Sequence, residues 1–135
     1  DEDIADEADL VELQEAFLRT PYAQRAPHRI EQAFQLVLGG RVVRGRIDAV
    51  YRDAAGDYEV VDWKTNRTYN ADPLQLAVYR LAWAELAGVP PERVTASFVY
   101  VRSGEVVRPR GLPDRAGIER VLAGTPDDDE SDISH

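Results

Sequence analysis

The sequence predicts a mixed α/β fold, a central β-sheet flanked by helices, on three observations. Strand-like alternation fills the middle of the chain and is broken by glycine-rich turns. A long amphipathic stretch follows it, bounded by a proline and a glycine. At 135 residues the chain has the length of one domain and can bury a core of its own.

Taken in order, Ile4 to Arg19 spaces Ile4, Ala8, Val11, Ala16 and Leu18 in a loosely helical pattern, predicting an N-terminal helix with an acidic start over residues 1–20. The stretch RTPYAQRAPHR carries Pro21 and Pro27 and reads as a connector. A strand pattern runs from Glu31 to Leu38, and Gly39-Gly40 turns it into RVVRGRIDAVYRD, where Val43, Ile47 and Ala49 alternate with polar residues. AAGD makes the next turn, and YEVVDWKT is a third strand. A helix is predicted over Pro73–Ala87, with Leu74, Val78, Leu81, Trp83 and Leu86 toward the core and Gly88 as its stop. VTASFVYVRS is a strand that turns at Gly104 into EVVRP, and a last helix spans Pro113 to Leu122. The core domain is thereby set at residues 21–124, and the acidic tail 125–135 is expected to be disordered.

Composition narrows the chemistry. With no cysteine, the chain has no thiolate zinc site, no iron–sulfur cluster and no cysteine nucleophile. No apolar run approaches the roughly 20 residues of a membrane span, and a cytoplasmic setting with no membrane partner is expected. The absence of methionine and the opening DEDIADEADL read as a piece of a longer polypeptide. The net charge of −9 is concentrated at the ends, since residues 16–126 hold 16 basic against 12 acidic side chains. A mildly basic body is compatible with phosphate handling. Fifteen of the basic residues are arginine and one, Lys64, is lysine, a compact point charge in a chain that otherwise uses the guanidinium fork.

Residues two apart on a strand share a face, so Asp62 and Lys64 point one way and Trp63 the other. Asp48 lies on the preceding strand, close to Asp62 if AAGD closes a hairpin. Two neighbouring carboxylates repel unless a cation lies between them, and Mg²⁺ takes such a pair plus waters and phosphate oxygens, with the Trp63 carbonyl as a further candidate ligand. Asp-x-Lys by itself equally describes a solvated strand face. On the following helix Gln75 and Tyr79 are four apart and share a face.

GRIDAVYR, VVDWKT and QLAVY, in this order over about Glu31 to Tyr100, together resemble the RecB-like branch of the PD-(D/E)XK nucleases. The resemblance is to its Gly-x-x-Asp segment, its Asp-Tyr-Lys-Thr box with Trp63 for Tyr, and its Gln-x-x-x-Tyr helix, most like the C-terminal nuclease domains of UvrD/RecB-type (AdnB/AddA-like) helicase-nucleases. It implies a restriction-endonuclease-like core, with Asp48 and Asp62 as ligands of Mg²⁺ (or Mn²⁺) and Lys64 as the catalytic lysine. Gln75, Tyr79, Thr65 and Arg67 would support the site and the bound DNA, a single strand or a duplex end, and Tyr69 would stack beside Arg67. It implies further a helicase motor elsewhere in the longer chain, since no G-x-x-x-x-G-K-[ST] occurs here, and a possible second helicase-nuclease subunit.

The likeness has a gap. Many RecB-like nucleases place a metal-binding histidine on a helix upstream of the first strand, whereas this chain has only His28, which reads as a surface loop residue, and His135. Glu31 is the candidate for an additional carboxylate toward the metal. Arg44 and Arg46 are candidate phosphate contacts or plain solvated cations. Two functions follow: a metal-dependent DNA exonuclease domain acting in double-strand-break repair or recombination, and a catalytically inactive nuclease-fold module for DNA binding or subunit docking.

Overall fold

A computed structural model describes residues 6–124 and the backbone of residues 130–132. The described elements are helix α1 (Glu7–Leu18), strands β1 (Arg29–Leu38), β2 (Arg41–Arg52) and β3 (Tyr58–Lys64), helix α2 (Pro73–Ala87), strands β4 (Val94–Tyr100) and β5 (Glu105–Val107), helix α3 (Arg115–Ala123) and strand β6 (Glu130–Asp132). They build one mixed sheet in the order β1-β2-β3-β4-β5, with β6 beside the first half of β2. β1, β2 and β3 pair antiparallel, β3 and β4 parallel across α2, and β4 and β5 antiparallel. This is the predicted α/β layer fold.

Local chemistry sets most boundaries. Gly39 and Gly40 take φ of 57° and 80°, the left-handed pair that a two-residue hairpin requires. Asp72 caps α2 by accepting from Leu74 N at 3.0 Å, Pro73 opens it, and Gly88 at φ 70° closes it. Asp6 caps α1 through Asp9 N at 2.9 Å. The connector after α1 is more ordered than its prolines suggest: Pro21–Gln24 form a short 3₁₀ turn that buries Tyr22.

The main core lies between the sheet and α2, where Phe34, Ile47, Val50, Val60, Leu76 and Phe98 meet, with Ile118 of α3 joining them. α2 buries eight residues between Leu76 and Ala84, because a helix laid across a sheet is covered on more than one stripe. Of the predicted inward residues Val78, Leu81 and Trp83 are buried and Leu74 packs at the edge, but Leu86 is exposed. On the other face, α1 and the 3₁₀ turn cover Ala49, Tyr51, Val61 and Val99. The α1 stripe differs from the predicted one: Leu13 and Ala16 are buried, while Val11 and Leu18 are exposed. Of the tail expected to be disordered, residues 130–132 form the short β6 strand, parallel to β2, and the remainder lies outside the described residues. No helix among the described residues is long and apolar enough to cross a membrane.

Candidate active site

β2 is the element that shapes the site. Its last four residues pair with β3, from Ala49↔Val61 to Arg52↔Tyr58, and the ladder stops there. Val42 to Arg44 pair with β6 instead. Asp48 therefore sits at the fork where β2 leaves β3. The face alternation also slips at this point: Ile47 belongs to the α2-side core, yet Ala49, two residues on, belongs to the opposite cluster. The neighbouring strand makes the same slip at Glu31, whose φ of 50° is the one positive value among described non-glycine residues. The β1–β2 register passes from Ile30↔Ala49 to Gln32↔Ile47, with no Glu31–Asp48 pair recorded between them. The slip returns Asp48 to the α2 side, the face that Asp62 and Lys64 already occupy. A glutamate held in the left-handed region costs on the order of 1–3 kcal/mol, a strain of the kind that clusters at functional sites.

The side chains form one connected polar string. Asp48 Oδ2 accepts from Trp63 N at 2.9 Å, and its carboxyl group is hydrogen-bonded to that of Asp62. Asp62 is 5% and Lys64 9% exposed. Their ion pair spans 3.1 Å from Nζ to Asp62 Oδ2, an oxygen that is buried and completes no hydrogen bond. Lys64 Nζ donates to Gln75 Oε1 at 3.4 Å, and Gln75 Nε2 to Tyr79 Oη at 3.2 Å. Tyr79 is buried against Phe34, and Lys64 lies 5.5 Å from the Phe98 ring centroid. Five residues chosen from the sequence thus converge: strand period two aligns Asp62 with Lys64, helix period four aligns Gln75 with Tyr79, and the slip in β2 brings Asp48 to them.

Burial, then the hydrogen bond to Asp62 and its negative charge, raise the Asp48 pKa from 3.8 to about 7, against the opposing pull of the Trp63 N–H and Lys64. Near neutrality the pair is poised to lose a proton and face two negative charges toward each other. That donor set fits a hard divalent cation: two carboxylates with an under-bonded buried oxygen, and the Trp63 carbonyl at the same strand edge as its N–H.

Other predicted residues stand apart. Glu31 lies apart from this group: its side chain is 71% exposed, its Oε1 is 3.8 Å from Arg46, and its backbone takes φ 50°. Arg46 also donates to the Glu31 carbonyl at 3.3 Å, and Arg44 donates to Gln35 at 3.0 Å. The His28 ring packs against Tyr58 and Trp83, toward the far end of β3 from Lys64, and is half-buried. Arg67 is exposed, 3.9 Å from Asp9, and Tyr69 is fixed by its hydroxyl on Ser103 at 2.8 Å and its ring on Tyr100. The Thr65 carbonyl accepts from Arg102 Nε at 2.5 Å. Sequence reasoning missed Arg102 and its partner Asp9, which lie 93 positions apart and carry no spacing signal.

A solved structure described as "Crystal structure of SSO0001" is similar at 22% identity and a TM-score of 0.48, over 86% of this chain and 56% of that one. This chain therefore spans just over half the length of that relative. No curated protein matches the sequence. Residues 4–133, nearly the full length, match the family model of the PD-(D/E)XK nuclease superfamily, and the chain belongs to that superfamily.

Proposed function

We propose that this chain is a Mg²⁺-dependent (or Mn²⁺-dependent) nuclease domain that hydrolyses DNA phosphodiesters. The superfamily is generally one of nucleases that use divalent metals. The observation that carries the reading is the buried contact of Asp48 and Asp62 beside the Lys64 ammonium, with Asp62 Oδ2 lacking a hydrogen bond. Asp48 and Asp62 would hold the cation, which when bound supplies Lewis acidity and a water of lowered pKa. Lys64 orients the attacking water and offsets the charge developing on the phosphoryl oxygens. Gln75 holds Lys64, and Tyr79 holds Gln75. Thr65, Arg67 and Tyr69, on the loop after β3, meet the DNA strand. The wider role is exonuclease action on a single strand or duplex end, as the C-terminal domain of a cytoplasmic helicase-nuclease whose motor, and a possible second subunit, supply most of the grip on DNA.

The second reading is an inactive module for DNA binding or docking. It is favoured by the ligand set: α1 holds no histidine, and among the described residues no group of three His, Asp, Glu or Cys side chains converges. Cleavage of single-stranded and duplex oligonucleotides with Mg²⁺ or Mn²⁺ decides between them. Wild-type cleavage lost in Asp62→Asn and Lys64→Ala supports the first reading. Cleavage that persists in both variants overturns the site assignment, and DNA binding without any cleavage supports the second.

A further inference from the structure

α1 reaches the candidate lysine through one buried arginine. Arg102 follows β4 and its guanidinium is 9% exposed. Its Nε donates to the Thr65 carbonyl at 2.5 Å. Its Nη1 and Nη2 donate to the two carboxylate oxygens of Asp9 at 2.7 and 2.8 Å, and that carboxylate is 12% exposed. Asp9 lies in the first turn of α1, where the helix dipole favours its charge. Thr65 is the residue after Lys64, and the Lys64 carbonyl accepts from Val101 N at 3.0 Å. Two consecutive carbonyls, at the last residue of β3 and the one after it, are therefore held by two consecutive residues, Val101 and Arg102. Behind them Leu13, Ala16, Val101, Phe17 and Trp63 pack together, so α1 rests on the reverse side of the strand that carries Asp62 and Lys64.

From this geometry we infer that Asp9 and Arg102 are positioning residues for Lys64, making α1 a working part of the active site. The inference rests on the nuclease reading above for its kinetic consequence, though not for its structural one. A bidentate fork fixes the direction of the Nε–H bond as well as the charge, so it holds the Thr65 carbonyl at one place. The backbone of Lys64 is then clamped on its C-terminal side by this bond and on its N-terminal side by the β3–β4 ladder. The terminal amine, at the end of a flexible stem, inherits that placement. A misplacement of about 1 Å at a reacting group costs on the order of 10²-fold in rate.

Lys64 is the only lysine of the chain, so ¹⁵N-lysine labelling gives a single side-chain resonance. The test compares wild type with Arg102→Lys, Arg102→Ala and Asp9→Asn. In each variant the Lys64 Nζ resonance should move or broaden and amide exchange at Thr65 and Asn66 should quicken. kcat should fall by about 10²-fold with KM for the oligonucleotide nearly unchanged. Arg102→Lys retains charge and loses the fork, so full recovery of kcat and of the Lys64 resonance in that variant would overturn the inference. So would unchanged resonance and exchange in Arg102→Ala. If Arg102→Ala fails to fold, the near-isosteric Asp9→Asn decides by the same readouts. If wild type does not cleave, the nuclease reading falls, and the resonance and exchange data still decide the clamp.

Discussion

At one end of β3 the Glu59 carboxylate is enclosed by donors. Its Oε2 accepts from Ser97 Oγ at 2.7 Å, Tyr22 Oη at 2.8 Å and Arg108 Nη2 at 3.0 Å, with Arg25 3.5 Å from Oε1. Burial works against its charge, but these bonds outweigh burial and hold its pKa below the ordinary 4.5. Burial and the bond to Glu59 together push the Tyr22 hydroxyl up to about 12. Three residues along, Asp62 shares a buried space with another carboxylate, and Asp48 rises to about 7. β3 thus carries a carboxylate whose donors tie the 3₁₀ turn, β4 and the segment after β5 together, and a second one that faces a carboxylate of β2. The two carboxylates differ by their partners, with burial common to both, and a perturbed pair of the second kind is what marks a candidate functional site.

The largest effect that tests this contrast is on activity. Asp62→Ala or Lys64→Ala should lower cleavage by about 10³-fold or more, while Asp48→Asn should leave the thermal midpoint equal or higher at neutral pH, since it removes a like charge beside Asp62 and keeps the Asp62–Lys64 ion pair. A melting temperature that drops sharply in Asp48→Asn would make the carboxylate pair structural. Glu59→Ala should do the reverse: about 3 kcal/mol of stability lost in urea titration, because Arg108, Tyr22 and Ser97 lose their acceptor, with the kcat of folded protein unchanged.

The two ends should also answer pH with opposite sign. Glu59 has a lowered pKa, so its stabilising contribution is present above the unfolded value and is lost as pH falls through its folded value. Asp48 has a raised pKa, so its contribution is full below 3.8 and is lost as pH climbs to about 7. Metal-free protein should therefore lose stability between these values, Asp48→Asn should flatten that limb, and added Mg²⁺ should restore the loss above it. Affinity for Mn²⁺, measured by calorimetry, should rise about tenfold per pH unit below the Asp48 pKa, as one proton is displaced per ion. A pH-independent affinity would separate Asp48 from the metal.

The smallest effect concerns Glu31. Glu31→Gly relieves the left-handed strain and should gain about 1 kcal/mol, with metal affinity unchanged. A weakened affinity would restore Glu31 as a ligand.

What was legible in the sequence was what short-range periodicity controls. The Gly39-Gly40 hairpin, the Pro73 and Gly88 limits of α2, and the shared faces of Asp62 with Lys64 and of Gln75 with Tyr79 follow from periods of two and four plus turn chemistry, whereas Asp48 joins them through a slip in β2 that no periodicity shows. Legibility ended where a side chain's fate is settled by a distant partner. Tyr22 reads as connector until Glu59, 37 positions on, accepts its hydrogen bond. Glu31 alternates correctly on paper, and only its backbone conformation turns it away. The buried faces of α1 depend on Trp63 and Val101, which no pattern within residues 7–18 encodes.

The fork of β2 bears on how such a domain diversifies. The β1–β2 hairpin runs on beyond Asp48 for seven residues of β2, ending in a glycine turn at Gly39-Gly40 whose Gly39 N–H is fastened to Glu119. Every candidate reacting group lies on the other side of that fork. A change at the tip of the arm leaves the register of Asp48 to Asp62 untouched, since the ladder that fixes it begins only at Ala49↔Val61. The two halves of β2 thus answer to different neighbours, the arm to β1, β6 and the α2-side core, the end to β3.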